Sequence, residues 1–409
     1  MNKVLSESET ARPQRLGRSA PLWLLALLTL SGTLGMHIFA PALSSAARGL
    51  GVGPAAMQGS ISFYILGLAA GQLVYGPLSD WFGRRPMMMI GLALYTLAGA
   101  AAALAPTVHW LIVARLIQAL GGCAGLALGR AMVRDAAWPL DSARRLALLN
   151  LMVTLGPGLA PVIGGALVSA FGWRSILWSL CGLGGVLLLT SWRLLPETGR
   201  PDINANLGEL GRNYRRLLTS PAFLGYSIGG GFATTSLYAF IASSTFILVD
   251  QMHRPFYEVG VYLAVLFGGV WLGNALVSRL VAKVPVRRLM VFGNLTSVVA
   301  ALGFLAAVLS SHLGVVSAIA PMFFYALGAG VASPMALTEA VSVNPHVVGA
   351  ASGLYGAMQM AIGALCTTLA GLGSDPALST AWVLVGSGVI AQAAFWWALA
   401  WRRPSEGDA

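Results

Sequence analysis

Twelve apolar runs, most of them longer than the roughly 20 residues a helix needs to cross a bilayer, occupy nearly the whole of this chain. Punctuated by charges, proline and glycine, they fall at 21–47, 57–79, 86–105, 110–134, 145–170, 174–195, 221–249, 257–282, 288–310, 313–337, 347–371 and 379–401. A segment surrounded by lipid has no water to satisfy its peptide groups, so each run must be a helix that closes its own hydrogen bonds. Most connections are short enough to make consecutive helices antiparallel neighbours. The expected fold is an all-α integral membrane protein of twelve transmembrane helices.

Composition supports the same solvent. Of 409 residues, 57% are hydrophobic and only 10% charged, against the roughly 25% charged residues that a soluble domain needs at its surface. Fifty glycines suit helices that approach closely in a bilayer. The stretch 1–19 is polar and basic, and the apolar run behind it far exceeds the roughly 7–15 residues of a signal-peptide core, so it is expected to stay attached as the first span. Cys123, Cys181 and Cys366 each sit inside an apolar run without metal or redox spacing. They read as small core residues, and no metal or cofactor is expected.

The net charge of +11 would suggest a nucleic-acid partner in a soluble chain. Its placement argues otherwise. Arg84 and Arg85 follow span two; Arg134, Arg144 and Arg145 follow span four; Arg193, Arg200, Arg212, Arg215 and Arg216 follow span six. Arg279, Lys283, Arg287 and Arg288 follow span eight, and Arg402 and Arg403 follow span twelve. The other side carries Arg48, Arg174 and Arg254. This bias predicts both termini in the cytoplasm, makes the bilayer the partner of the basic residues and excludes nucleic acid.

The longest connection, 196–220, contains Pro196, Pro201, Asn204 and Asn206 and divides the chain. The expected organisation is a cytoplasmic tail at 1–19, a six-helix bundle at 20–195, a cytoplasmic linker at 196–220, a second six-helix bundle at 221–402 and a tail at 403–409. The bundles echo one another: Arg84-Arg85-Pro86-Met87-Met88-Met89-Ile90-Gly91 stands where the second half has Arg287-Arg288-Leu289-Met290-Val291-Phe292-Gly293. Two pseudo-symmetric repeats around a central site is a transporter plan.

Three strings carry a mechanism. At the end of span two, Gly76-Pro77-Leu78-Ser79-Asp80-Trp81-Phe82-Gly83-Arg84-Arg85 combines turn residues with an acid and two guanidinium groups able to form charge-assisted bonds to helix ends. It is either an ordinary basic loop or a conformational latch, with Gly76, Asp80, Gly83, Arg84 and Arg85 as its parts. In span four, Arg115 lies about 6 residues into the apolar run, roughly 9 Å deep at 1.5 Å per residue. Such a charge either faces a wet cavity or a partner, or snorkels to the interface. In span five, Gly156-Pro157-Gly158-Leu159-Ala160-Pro161-Val162-Ile163-Gly164-Gly165 permits close helix approach and bends the helix at its prolines.

The span-two string resembles the signature loop of the major facilitator superfamily, the Arg115 segment resembles its intramembrane arginine motif, and the span-five string is similar to the antiporter motif of its drug exporters (Gly158, Pro161, Gly164, Gly165). Arg130-Ala131-Met132-Val133-Arg134-Asp135, Gly172-Trp173-Arg174, Leu195-Pro196-Glu197-Thr198 and Gly35-Met36-His37-Ile38-Phe39-Ala40-Pro41-Ala42-Leu43 resemble the Bcr/CflA group of drug:proton antiporters. The resemblance implies the two-bundle fold, a functional monomer and a place in the bacterial inner membrane. It also implies a central site surrounded by spans one, two, four, five, seven, eight, ten and eleven. Helix position within those spans then nominates Met36, His37, Tyr64, Arg115, Gln118, Arg130, Tyr238, Trp271, Tyr325, Met358 and Gln359 as cavity lining, although helix packing alone would also account for each.

One departure matters most. Members of the group carry an aspartate where this chain has His37, a carboxylate thought to take a proton and attract cationic drugs. Asp80, Asp135 and Glu339 are expected at cytoplasmic ends and Asp250 and Glu258 at the outer face, so no acid is expected at mid-membrane. The cavity should be neutral to positive and favour neutral or anionic compounds over bare lipophilic cations. His37 either carries the coupled proton together with Arg115, or is a neutral histidine bonded to a backbone carbonyl.

The leading expectation is a secondary active transporter exporting a small amphipathic drug or siderophore-like metabolite by alternating access, coupled to protons. A siderophore importer and an uncoupled facilitator are the alternatives. No phosphate-binding Gly-x-x-x-x-Gly-Lys-[Ser/Thr] loop is present. With three cysteines and one deep histidine there is no constellation for an intramembrane enzyme.

Overall fold

The structure is a computed structural model that describes residues 20–135, 139–199, 207–344 and 347–401. The tails expected at 1–19 and 403–409 and linker residues 200–206 lie outside the described residues. The spans, in chain order, are Leu22–Leu50, Pro54–Phe82, Arg84–Ala103, Val108–Asp135, Pro139–Phe171, Trp173–Leu194, Pro221–Gln251, Phe256–Leu280, Val286–Leu309, Val315–Ser342, Val348–Gly371 and Pro376–Ala400. Among the described residues eleven of these helices are long and apolar enough to cross a membrane, and Leu155–Phe171 is the apolar part of span five. Twelve helices in two six-helix bundles is the architecture. Helix Leu207–Leu218 lies in the connection between them.

Local chemistry sets the ends. Pro54, Pro221 and Pro376 open spans two, seven and twelve, where a missing N–H costs nothing. The Asp375 carboxylate caps span twelve by accepting from the Ala377 and Leu378 amides. Gly83 adopts φ 94°, a left-handed conformation that lets spans two and three turn back on each other within one residue. Two spans are broken. Span one passes through a 3-10 turn at Ala40–Ala42, where Pro41 cannot continue the ladder. Span seven runs as Pro221–Thr235 and Leu237–Thr245 and closes on a π-helical turn, Phe246–Gln251.

The halves repeat one packing device. In the first, Gly67 on span two fits against the Leu116 carbonyl of span four, where a β-carbon would stand 2.6 Å from the oxygen. In the second, Gly269 and Gly273 on span eight meet the Phe323 and Leu327 carbonyls of span ten. Lipid is no worse a solvent for leucine than a protein core, so helices associate where small residues let backbones touch. Leu97, Val186, Leu189 and Val299 point outward instead. Cys123 and Cys366 are buried free thiols, and Cys181 is half-buried.

Spans two and eleven, and spans five and eight, form the two seams between the halves. Because each half has an even number of spans, both ends of the described chain lie at the end of the molecule that bears the linker. That end is called here the linker end, and the opposite one the far end.

Candidate substrate cavity and its gates

A cavity of about 1390 Å³ lies between the halves. At the linker end its wall includes Asp80, Trp81 and Arg84 of the first half and Tyr214, Ser342 and Val348 of the linker helix and second half. Further in, span one contributes Thr33 and His37, span four Leu126 to Leu128, Arg130 and Ala131, and span five Pro157. Spans seven, eight and eleven face them with Tyr238, with Phe267, Trp271 and Asn274, and with Gln359. The cavity thus runs from the linker end to mid-bundle and stops there.

At the far end the halves are joined. Arg48 pairs with Asp250 at 2.8 Å, and Ser44 donates to both Asp250 carboxylate oxygens at 2.7 and 2.9 Å. Gln58 donates to Ser243 at 3.0 Å, and the Thr245 hydroxyl to the Ala40 carbonyl at 2.5 Å. Each bond links a residue of spans one or two to one of span seven. The Ala40 carbonyl also accepts the Leu43 N–H of the 3-10 turn, so the Thr245 hydroxyl uses its second lone pair.

The span-five string forms one of the seams. The Trp271 indole packs over Gly158, where a β-carbon would meet its ring at 2.6 Å, and Gly260 of span eight packs against the Pro161 carbonyl. Gly165 meets the backbone of Phe256 and Tyr257, while Gly164 turns toward span one and the Ile38 carbonyl. Glycine is required here because the backbones of different helices, two of them in opposite halves, come into direct contact.

At the linker end, the span-two string gathers partners of its own half. Arg84 pairs with Asp80 at 2.8 Å and with Asp135, at the end of span four, at 3.2 Å, and also donates to Ser79. The Glu197 carboxylate accepts the backbone N–H of Arg84 at 2.9 Å, of Arg85 at 3.1 Å, of Thr198 at 3.0 Å and of Gly199 at 2.9 Å. It caps span three in a helix-N-terminal anion position. Arg85 reaches the Trp192 carbonyl at 2.7 Å. Gly76 is placed on the cavity wall, and Gly83 leaves room for Glu197.

Of the residues nominated as lining, His37, Arg130, Tyr238, Trp271 and Gln359 border the cavity. Met36, Tyr64, Arg115, Gln118 and Tyr325 are instead fully buried within the bundles, and Met358 packs against the second-half core. Tyr325 shares a hydrogen bond with Ser236 at 2.6 Å. Arg115 does not snorkel. Its guanidinium donates to the Gly35 carbonyl at 2.8 Å and to Gln118 Oε1 at 2.9 Å. It stacks on Tyr64 at 4.1 Å and Phe39 at 4.9 Å.

His37 makes edge-to-face contacts with Phe267 at 5.0 Å and Tyr238 at 6.0 Å, and its Nδ1 has no hydrogen-bond partner. The backbone carbonyl expected of a purely structural histidine is not bonded to that nitrogen. Asp80, at the mouth, is the one acid on the cavity wall among the described residues. Phe267, Asn274, Thr33 and Gln72 also line it, and Glu197 and the Arg48–Asp250 gate were not nominated. Phe267 and Asn274 carry no sequence signal beyond their place in span eight, whereas Glu197 lies in a motif quoted above.

The sequence profile described as Major Facilitator Superfamily matches residues 25–368. The chain is 27% identical over 387 residues to an MFS-type transporter of Bacillus subtilis, YdgK, covering 92% of this chain and 95% of that protein. It is 30% identical over 290 residues to the multidrug transporter MdfA of Edwardsiella ictaluri, covering 70% and 71%. A bicyclomycin resistance protein homolog of Haemophilus influenzae is 25% identical over 356 residues, with 84% and 87% covered. In fold, the chain is similar to an inward-facing, occupied bacterial homolog of the lysosomal transporter Spinster (TM-score 0.73, 16% identity, 94% and 98% covered). It is also similar to the inward-open xylose transporter XylE of E. coli (TM-score 0.71, 14% identity, 95% and 97% covered).

Proposed function

The chain belongs to the Major Facilitator Superfamily, and from that membership we propose that it is a proton-coupled exporter of a small amphipathic compound, neutral or anionic. It is a transporter and not an enzyme, a multi-pass protein of the inner membrane. Export of drugs is the reading favoured by its likeness to proteins named for multidrug transport and bicyclomycin resistance.

The observation that carries the substrate class is the wall of the cavity. Its inner part includes histidine, aromatic rings and an amide beside aliphatic residues, with Arg130 toward the linker end and, as the one acid among the described residues, Asp80 ion-paired to Arg84 at the mouth. A lipophilic cation entering such a site loses its hydration without meeting a carboxylate. A neutral or anionic aromatic compound loses less and gains ring contacts with Tyr238, Phe267 and Trp271. The same wall favours His37 as the proton carrier. It is an imidazole that borders the cavity, where water entering the site can solvate its charged form.

Basic residues concentrate at the linker end, which we assign to the cytoplasm with both termini. The cavity then opens to the cytoplasm, ready to load a compound for export. Rocking of the monomer's halves would break the far-end seal and close the linker end.

The test is proton release or uptake by purified protein when cationic, neutral and anionic compounds are added, repeated with His37→Ala. A proton signal for neutral or anionic compounds, lost in the variant, supports coupling through His37. Binding without proton movement in either protein rejects coupling and leaves a facilitator, the reading that a cavity without a deep carboxylate also allows.

A further inference from the structure

One amide on the cavity wall is held in a fixed orientation. Gln359 of span eleven is half-buried and borders the cavity, and its Nε2 donates to the Thr234 hydroxyl of span seven at 2.6 Å. That hydroxyl has a single hydrogen, which goes to the Gly230 carbonyl one turn earlier, also at 2.6 Å. Toward Gln359 the Thr234 oxygen can therefore only accept, and only the nitrogen end of the amide satisfies it. The backbone is tied at the same place, since the Thr235 hydroxyl donates to the Gln359 carbonyl at 2.8 Å.

The amide oxygen is left over. Gln359 Oε1 accepts no hydrogen bond from the described residues, and unlike His37 Nδ1 and the Tyr355 hydroxyl on the same wall it is open to solvent. Other amides of the wall are not held in this way. Gln72 reaches the Gly356 carbonyl only at 3.4 Å, and Asn274 is exposed, so that either end of its amide can meet a ligand. The neighbourhood of Gln359 is aromatic. Tyr238 stands one turn beyond Thr234 on span seven, its ring against Gly363, one turn beyond Gln359 on span eleven. The same ring meets His37 edge-to-face at 6.0 Å.

We propose that Gln359 selects substrates by hydrogen-bond polarity: Oε1, held by Thr234, accepts from a hydroxyl or amide N–H of an aromatic compound and disfavours analogues that only accept. An ether or ester oxygen at that point strips water from Oε1 and returns no hydrogen bond. Thr234 is a positioning residue, because it lies behind Gln359 and not on the cavity wall. The inference rests on the reading of the cavity as the substrate site, and narrows the compounds proposed for it to those that bring a donor.

The experiment is equilibrium binding of tritiated naphthalenemethanol and of its methyl ether to the purified full-length protein, a pair that shares the ring and differs in the donor. The wild type is expected to bind the alcohol about 2–10-fold more tightly. Thr234→Val keeps the shape of the side chain but offers Gln359 no acceptor. The amide then turns freely, its nitrogen meets the ether oxygen, and the two affinities should come level. Thr234→Ser keeps the hydroxyl and should preserve the wild-type ratio. A threonine with only a packing role would move both affinities together, so an unchanged ratio in Thr234→Val overturns the proposal. Equal binding of the two compounds by the wild type also overturns it, while leaving the cavity as a site for neutral aromatic compounds. Binding of neither compound rejects that reading of the cavity and the role of Gln359 with it. Should Thr234→Val fail to fold, a wild-type ratio retained in Gln359→Leu overturns the proposal equally.

Discussion

Replacing Asp250 by asparagine should unlock the far end by an amount the geometry allows one to estimate. The Arg48 and Asp250 side chains are 58% and 39% exposed, so their ion pair is worth only about 0.2–1 kcal/mol, as solvent screens it. The Ser44 hydroxyl is different. It is buried, and it donates to both carboxylate oxygens; a hydrogen bond to a charged group contributes roughly 1.5–3 kcal/mol, of which an amide oxygen retains about half. The two losses together come to roughly 1–2 kcal/mol, or about a 5–30-fold shift of the open–closed equilibrium. Ala242 reports on it, because this small residue of span seven is buried in the core cluster of the first half. With the three native cysteines replaced, Ala242→Cys should react with a bulky maleimide about 5–30 times faster when Asp250→Asn is added. Arg48→Ala should accelerate labelling only a few-fold, in line with the weaker ion pair. Labelling that is unchanged or slowed by Asp250→Asn would refute the view that this contact holds the halves together.

Three further outcomes follow from contacts described above. Gly260→Ala drives a β-carbon into the Pro161 carbonyl of the opposite half and should also speed Ala242→Cys labelling, whereas Gly182→Ala, which meets nothing within 4 Å, should leave it unchanged. Glu197→Gln removes the charge shared by the Arg84 and Arg85 amides at the start of span three and the Thr198 and Gly199 amides beside it; because the residue is exposed, thermal unfolding should reveal a loss of only about 1 kcal/mol. Arg115→Ala should abolish transport while membrane insertion and the elution profile of the purified protein stay normal. Normal transport by that variant would remove Arg115 from the mechanism.

The spans and their order are legible in the sequence because lipid demands an uninterrupted apolar helix, a requirement that leaves a run of letters behind. Depth along a span is legible for the same reason, and Arg115 and His37 are both found well inside. Rotation about the helix axis is not. A span that is apolar on every side carries no period to say which face meets the partner helix, so Arg115, Gln118 and Tyr64 were nominated for the cavity with His37 and Trp271, yet they pack inside the first half. Pairings between distant spans are hidden too. Arg48 and Asp250 are each readable as far-end residues, but nothing local in either segment records that they meet. Glu197 was visible within a motif, while its task of capping a helix that starts 113 positions earlier emerges only when spans three and six stand side by side. The glycines of span five could be read as contact points. The Trp271 ring and the Phe256 and Tyr257 backbone that meet Gly158 and Gly165 lie in the other half, beyond the reach of spacing.

The central claim is that a cavity without an inner carboxylate sets both the substrate charge and the coupling. Its most direct test is transport in proteoliposomes under an imposed pH gradient, with three aromatic compounds matched in size that differ only in being cationic, neutral or anionic, and with His37→Asp in parallel. The account predicts gradient-driven movement of the neutral or anionic compound by the wild type, and a shift toward the cation in His37→Asp. Preferred transport of the cation by the wild type, or an identical preference in the two proteins, would contradict it.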